Sequence, residues 1–198
     1  IKISAFYKNT LNQLEKAVDQ LKKEGAKSLV FDVRSTYDGT IEYTCRVIDY
    51  LVPTATEGNK ALATLVDKNG NNVKTYSSDA KDITMPMAVL INSDTAGYGE
   101  LFACDLKDFG KAFLIGEKTA GRADVQETFE LSDGGAVVLT TSKMLPYISE
   151  SFDGKGLTPD TEIILADSLR ENLSTLEKDR DTQLQAAISM LAGNSSEG

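Results

Sequence analysis

Met87-Ala-Val-Leu-Ile-Asn-Ser-Asp-Thr-Ala-Gly-Tyr-Gly-Glu100 changes character partway along. Its first five residues are continuously apolar, as in a strand covered on both faces. A turn of small and polar residues follows, and a helix is expected from about Ala96 to Phe109. The strand Ala112-Phe-Leu-Ile115 comes next. Upstream, Ser28-Leu-Val-Phe-Asp-Val33 is another short apolar run. Leu11, Leu14, Val18 and Leu21 before it give a helix one apolar stripe, with Thr10 and Gln13 set for a capping box and Gly25 for a stop. Ile1-Lys-Ile-Ser-Ala-Phe6 alternates like a strand. Strand, helix and strand within 33 residues make a βαβ unit with a parallel pair and a right-handed crossover.

The remaining chain adds a helix from about Thr40 to Leu51. A hairpin follows, with Ala61 to Val66 and Val73 to Tyr76 flanking the turn Lys68-Asn-Gly-Asn71. Val125 to Leu131 and Ala136 to Thr141 form a ribbon across Ser132-Asp-Gly-Gly135. The tail from Ser168 to Leu191 reads as helical, and the last residues as unstructured. The fold class is α/β (mixed α+β), a mixed sheet flanked by helices with an antiparallel ribbon. Residues 1–166 form the core and 167–198 a helical tail packed on it.

Composition narrows the chemistry. At 198 residues the chain is long enough for a sizeable core, and 41% apolar content is too high for a disordered protein. No apolar run approaches the about 18 residues of a membrane span. A net charge of −9 argues against nucleic acid as partner. The chain opens at Ile1 without an initiator Met or a signal-like segment, and reads as part of a longer protein. Cys45 and Cys104 are too few for a disulfide framework or a structural zinc site and read as free, buried thiols. There is no histidine, so a Ser-His-Asp triad, a Cys-His pair and an imidazole metal site are all excluded. Neither a cofactor nor a metal is expected.

In α/β folds sites gather where strand ends enter helices. Two places qualify, Arg34 to Gly39 and Asn92 to Glu100. The second offers backbone N–H groups at a helix start, a natural place for an anion or oxyanion.

Gly25-Ala-Lys-Ser-Leu-Val-Phe-Asp-Val-Arg34, Leu90-Ile-Asn92 with Thr95-Ala-Gly-Tyr-Gly-Glu-Leu101, Asp108-Phe-Gly110, Ile115-Gly-Glu-Lys-Thr-Ala-Gly-Arg122, Val125-Gln126, Ser132-Asp-Gly-Gly-Ala136, Gly154-Lys-Gly-Leu-Thr-Pro-Asp160 and Asp181-Thr-Gln-Leu-Gln-Ala186 occur in this order. The series resembles the peptidase core of the C-terminal-processing (tail-specific) serine peptidases over nearly the whole chain. The resemblance implies a crotonase/ClpP-like fold, proteolysis, peptide or protein C-termini as partners and an extracytoplasmic location. The PDZ domain that usually accompanies the family has no counterpart here.

The chain departs from the family where chemistry is done. The family's nucleophilic serine falls on Gly97 and its lysine base on Arg122. Glycine has no side chain to attack with. Burial can lower a lysine's pKa by ~3–5 so that it serves as a base, but arginine starts above ~12 and stays charged. The family's glycine-rich oxyanion loop reads Ser35-Thr-Tyr-Asp-Gly39, with Asp38 placing a negative charge beside a developing oxyanion; Tyr98 belongs to the same region. Asp108 and Gln126 occupy positions that the family fills at or beside its catalytic groups.

The leading reading is a family domain that has lost catalysis and still binds peptide C-termini. An active Ser/Lys peptidase with displaced or engineered catalytic residues is the alternative, with Ser93 or Thr95 as nucleophile and Lys118 as base. A structural or assembly domain is the third.

Overall fold

The opening segment turns its apolar positions inward: Ile3 and Phe6 are buried, Lys2 and Ser4 exposed. In this computed structural model, which describes residues 1–53, 61–78 and 83–194, the segment ends in β1 (Ala5–Phe6). Helix α1 (Thr10–Lys23) follows and buries Leu14 and Val18. The N–H groups of Gly25 and Ala26 close it by reaching back to the carbonyls of Lys22 and Leu21. Thr10 does not cap α1. Its hydroxyl accepts from the Tyr7 N–H and donates to the Ala5 carbonyl, so it is spent on the turn out of β1 and stands inside the helix.

Next come β2 (Leu29–Asp32), β3 (Asp38–Gly39) and α2 (Ile41–Leu51), the last started by Thr40, whose hydroxyl accepts from the Tyr43 N–H. The hairpin is β4 (Ala61–Val66) and β5 (Asn72–Ser77), its turn held by the Asp67 carboxylate on the N–H groups of Asn69 and Asn71. Then β6 (Met87–Ile91), α3 (Tyr98–Asp108), β7 (Ala112–Gly116), β8 (Asp124–Glu130), β9 (Ala136–Leu145) and β10 (Thr161–Glu162) lead into α4 (Asp167–Arg170) and α5 (Thr182–Asn194).

Parallel and antiparallel pairings separate into different sheets. The order β10-β7-β6-β2 is parallel throughout and β5-β4-β9-β8 antiparallel throughout. The opening residues lie alongside β2, with Lys2 bridging Asp32 in parallel. All five residues of β6 are buried because both faces of its sheet are covered. Met87, Val89 and Ile91 meet the core that α1, α2 and α3 share, while Ala88 and Leu90 meet Ala187 and Leu191 of α5. Each large aliphatic side chain so buried contributes roughly 1.5–3 kcal/mol, and a charge at Leu90 would have no partner there.

The tail is not one helix. Turns separate α4 from α5, and Asp181 starts α5 by accepting from the Leu184 N–H. The same carboxylate takes two bonds from the buried guanidinium of Arg34, at 2.7 and 3.1 Å. Arg34 also holds Asp32 through two bonds and the Gln183 side-chain Oε1 through one. The expected unstructured end, 195–198, lies outside the described residues.

Cys45 and Cys104 are free and buried, and burial pushes both thiol pKa values up. No helix among the described residues is long and apolar enough to cross a membrane.

Candidate functional site

Parallel neighbours β2 and β6 end at one edge of their sheet, which brings the loop carrying β3 beside the turn into α3. The segment entering β8 joins them. Together they line a cleft of about 570 Å³ that includes Asp38, Gly39, Gly97, Tyr98, Arg122 and Gln126.

Gly97 forms the sharp corner between β6 and α3, with φ 56° and ψ −112°. Only glycine adopts this backbone without strain. A Cβ there would meet the Tyr37 carbonyl at 3.6 Å and the Arg122 carbonyl at 3.8 Å, ordinary contacts. Space for a side chain exists at Gly97; the backbone conformation is what disfavours one.

Glu100 organises the corner, and its role went unread in the sequence. Its fully buried carboxylate accepts from the N–H of Gly97 at 2.9 Å, of Gly121 at 2.7 Å and of Arg122 at 2.8 Å, and from the Thr119 hydroxyl. One carboxylate thus ties the start of α3 to the strap that carries Arg122. The readable signal was a glutamate at the third helical position, where a carboxylate complements first-turn N–H groups.

Arg122 is exposed, and among the described residues its guanidinium forms no ion pair. It also borders an adjoining hollow of about 560 Å³ with Ser35, Tyr37 and Ser93. Gly39, at φ 142°, lies flat on β1, where a Cβ would come within 2.6 Å of the Phe6 carbonyl oxygen. Its N–H donates to the Asp38 carboxylate at 2.9 Å, so this donor is already engaged. Asp38 lies beside the Tyr7 hydroxyl and, by favouring its protonated form, pushes the Tyr7 pKa up. Burial raises that of Tyr98, with the Tyr76 and Asp38 charges adding to it. As the first residue of α3, Tyr98 has an N–H without a helical carbonyl behind it.

Asp108 is not brought to the cleft. It ends α3 eleven residues after Gly97, ~16 Å along the axis, and its carboxylate accepts from the N–H groups of Ile148 and Ser149 and from the Ser149 hydroxyl. Thr95 is fully buried, its hydroxyl accepting from the Asn92 N–H and lying 3.0 Å from the Val33 carbonyl oxygen. Ser93 is exposed in the adjoining hollow, and Lys118 lines neither space. Among the described residues the cleft holds one cation, two carboxylates and the hydroxyls of Tyr37, Tyr98 and Thr128, while Gly97 and Arg122 stand at its corner and strap.

Comparison with known proteins agrees with the architecture. Residues 1–163 match peptidase family S41. Carboxy-terminal processing protease CtpA of Bacillus subtilis is 31% identical over 167 residues, covering 84% of this chain and 35% of that protein. Carboxyl-terminal-processing peptidase 3, chloroplastic, of Arabidopsis thaliana is 27% identical over 163 residues, covering 82% and 31%. A solved photosystem II D1 C-terminal processing protease superposes with a TM-score of 0.73 at 28% identity, covering 92% of this chain and 47% of that one. The chain therefore spans about a third to a half of the length of these relatives. With the match extending over both four-stranded sheets and the residues that line the cleft, this chain belongs to peptidase family S41, the C-terminal-processing serine peptidases.

Proposed function

We propose that this domain is a non-catalytic member of the family that holds peptide C-termini instead of cutting peptides. The observation that carries the reading is the pairing of Gly97 and Arg122 at one cleft, where attack would need a hydroxyl and a neutral amine. Arginine cannot act as the base at any ordinary pH. A guanidinium does suit a carboxylate, and among the described residues Arg122 has no ion-pair partner to give up. Strand β8 is the outer strand of its sheet and lines the same cleft through Gln126 and Thr128. An extended peptide can add to that edge by backbone hydrogen bonds while its carboxylate meets Arg122. We place the parent protein outside the cytoplasm, in keeping with the compartmentalised relative.

The test compares one unstructured peptide with a free and with an amidated C-terminus. The acid binds more tightly, Arg122→Gln removes the difference, and neither peptide is cleaved between about pH 6 and 10. Equal binding of acid and amide overturns the reading. So does turnover that disappears on Ser93→Ala, since it would reveal a working peptidase with a displaced nucleophile.

A further inference from the structure

Three charged residues line the cleft among the described residues: Arg122, Asp38 and Asp124. They do not neutralise one another. Among the described residues Arg122 forms no ion pair, and Asp38 accepts from a neutral donor, the Gly39 N–H, with the Tyr7 hydroxyl nearby. Among the described residues Asp124 forms no direct ion pair either: its cross-strand neighbour Lys143 bonds Asp153 and feels the Asp124 charge only at longer range. Separated opposite charges in one cleft match a ligand that is itself dipolar over a few ångströms.

The walls give the spacing. Both the Tyr37 carbonyl and the Arg122 carbonyl lie within 4 Å of where a Gly97 Cβ would be, so the loop with Asp38 and the strap with Arg122 face each other across a narrow floor. Asp124 follows Arg122 by two residues, at most ~7 Å along the chain. That span is comparable to the reach of lysine's four-carbon stem from its own carboxylate.

Resting on the end-binding reading above, we infer that the cleft selects peptides whose C-terminal residue is basic. The terminal carboxylate sits on Arg122 and the side-chain cation lies between Asp38 and Asp124. An apolar last residue would leave both carboxylates facing an alkyl chain.

The test measures fluorescence anisotropy of labelled peptides identical except for the last residue, lysine or norleucine, each as free acid and as amide. The lysine acid binds roughly fivefold more tightly than the norleucine acid, the sum of two partly exposed ion pairs. The ratio shrinks as salt is raised from about 0.05 to 0.5 M. It falls towards one in Asp38→Asn/Asp124→Asn, with each single substitution measured too should the double variant fold poorly. A ratio of one or below in the unaltered protein overturns the inference while leaving end-binding in place, provided acids still beat amides. Acids and amides binding alike, or none of the four binding, overturns both.

Discussion

Gly39 gives its N–H to the carboxylate of its own neighbour, Asp38, at 2.9 Å. In the proposed reading Gly39 is the loop's oxyanion donor, and this bond blocks it twice, by occupying the N–H and by setting a negative charge beside it. Reinstating a nucleophile and a base is therefore insufficient to restore hydrolysis. One missing oxyanion donor costs ~10²–10³ in rate. Gly97→Ser with Arg122→Lys is expected to give only traces of single-turnover cleavage, and adding Asp38→Gly to raise the rate by at least ~10-fold. Equal rates in the double and triple variants would show that Asp38 is harmless.

The corner at Gly97 makes a separate prediction about stability. Its φ of 56° and ψ of −112° place a serine in a sparsely populated region, while the nearest atoms at 3.6 Å leave room for the side chain. Strain of this kind costs ~1–3 kcal/mol. Gly97→Ser alone should lower Tm by roughly 2–12 °C for a chain of this size, with the denaturant m-value unchanged. A larger loss with a changed m-value would mean that α3 has shifted.

Elements whose causes are local were legible in the sequence. Met87 to Ile91 and Leu29 to Asp32 declared themselves as strands because continuous apolar runs need cover on both faces, and both received it. The Lys68–Asn71 turn and the Gly25 stop are likewise local. Thr10 misled because its hydroxyl turned to Tyr7 and Ala5, a choice made by the strand before it. The tail is broken before Asp181, which starts α5 at the Leu184 N–H while the same carboxylate holds Arg34, 147 residues away. Within the cleft, the meeting of Gly39, Gly97 and Arg122 depends on sheet order, to which periodicity alone is silent. Asp108 went elsewhere, since a residue three turns down α3 cannot return to its start.

The Arg34 cluster predicts how the tail is held. Its guanidinium is almost wholly buried and bonds Asp32, Asp181 and Gln183, while Gln183 also donates to the Ile163 carbonyl. Removing one partner of a buried ion pair typically costs ~3–5 kcal/mol, because the other charges remain buried. Arg34→Met should therefore loosen α5 first: amide exchange speeds up over Thr182–Asn194 before it does so in β6. Lysine cannot form the same two-carboxylate fork, so Arg34→Lys should recover only part of the loss. Uniform exchange changes in α5 and β6 would show that the tail has no separate stability.

Asp105 sets a pH dependence of known sign. It sits in α3, fully buried, with one oxygen accepting from the Tyr147 N–H at 3.0 Å and the other without a partner among the described residues. Burial pushes its pKa well above the ordinary carboxylate range, the Tyr147 bond opposes this, and the charge of Asp108 adds to it. In the unfolded chain the same group titrates near ~3.9. Below that pH both states carry the proton and the group does not affect stability. Above it the unfolded chain has released its proton while the folded protein retains one. Stability then falls by up to ~1.36 kcal/mol per pH unit until the folded pKa is passed. Asp105→Asn removes the titration while keeping an oxygen for Tyr147. Its absolute effect is mixed, because the new amide N–H groups also enter a site with an unpartnered position. The slope is the clean readout. Exposed pairs such as Lys155 with Glu150 act alike in both proteins and cancel in the difference. Urea midpoints from about pH 4 to 8 should show the variant gaining on the parent as pH rises. A difference independent of pH would mean that Asp105 ionises normally and that water reaches its free oxygen.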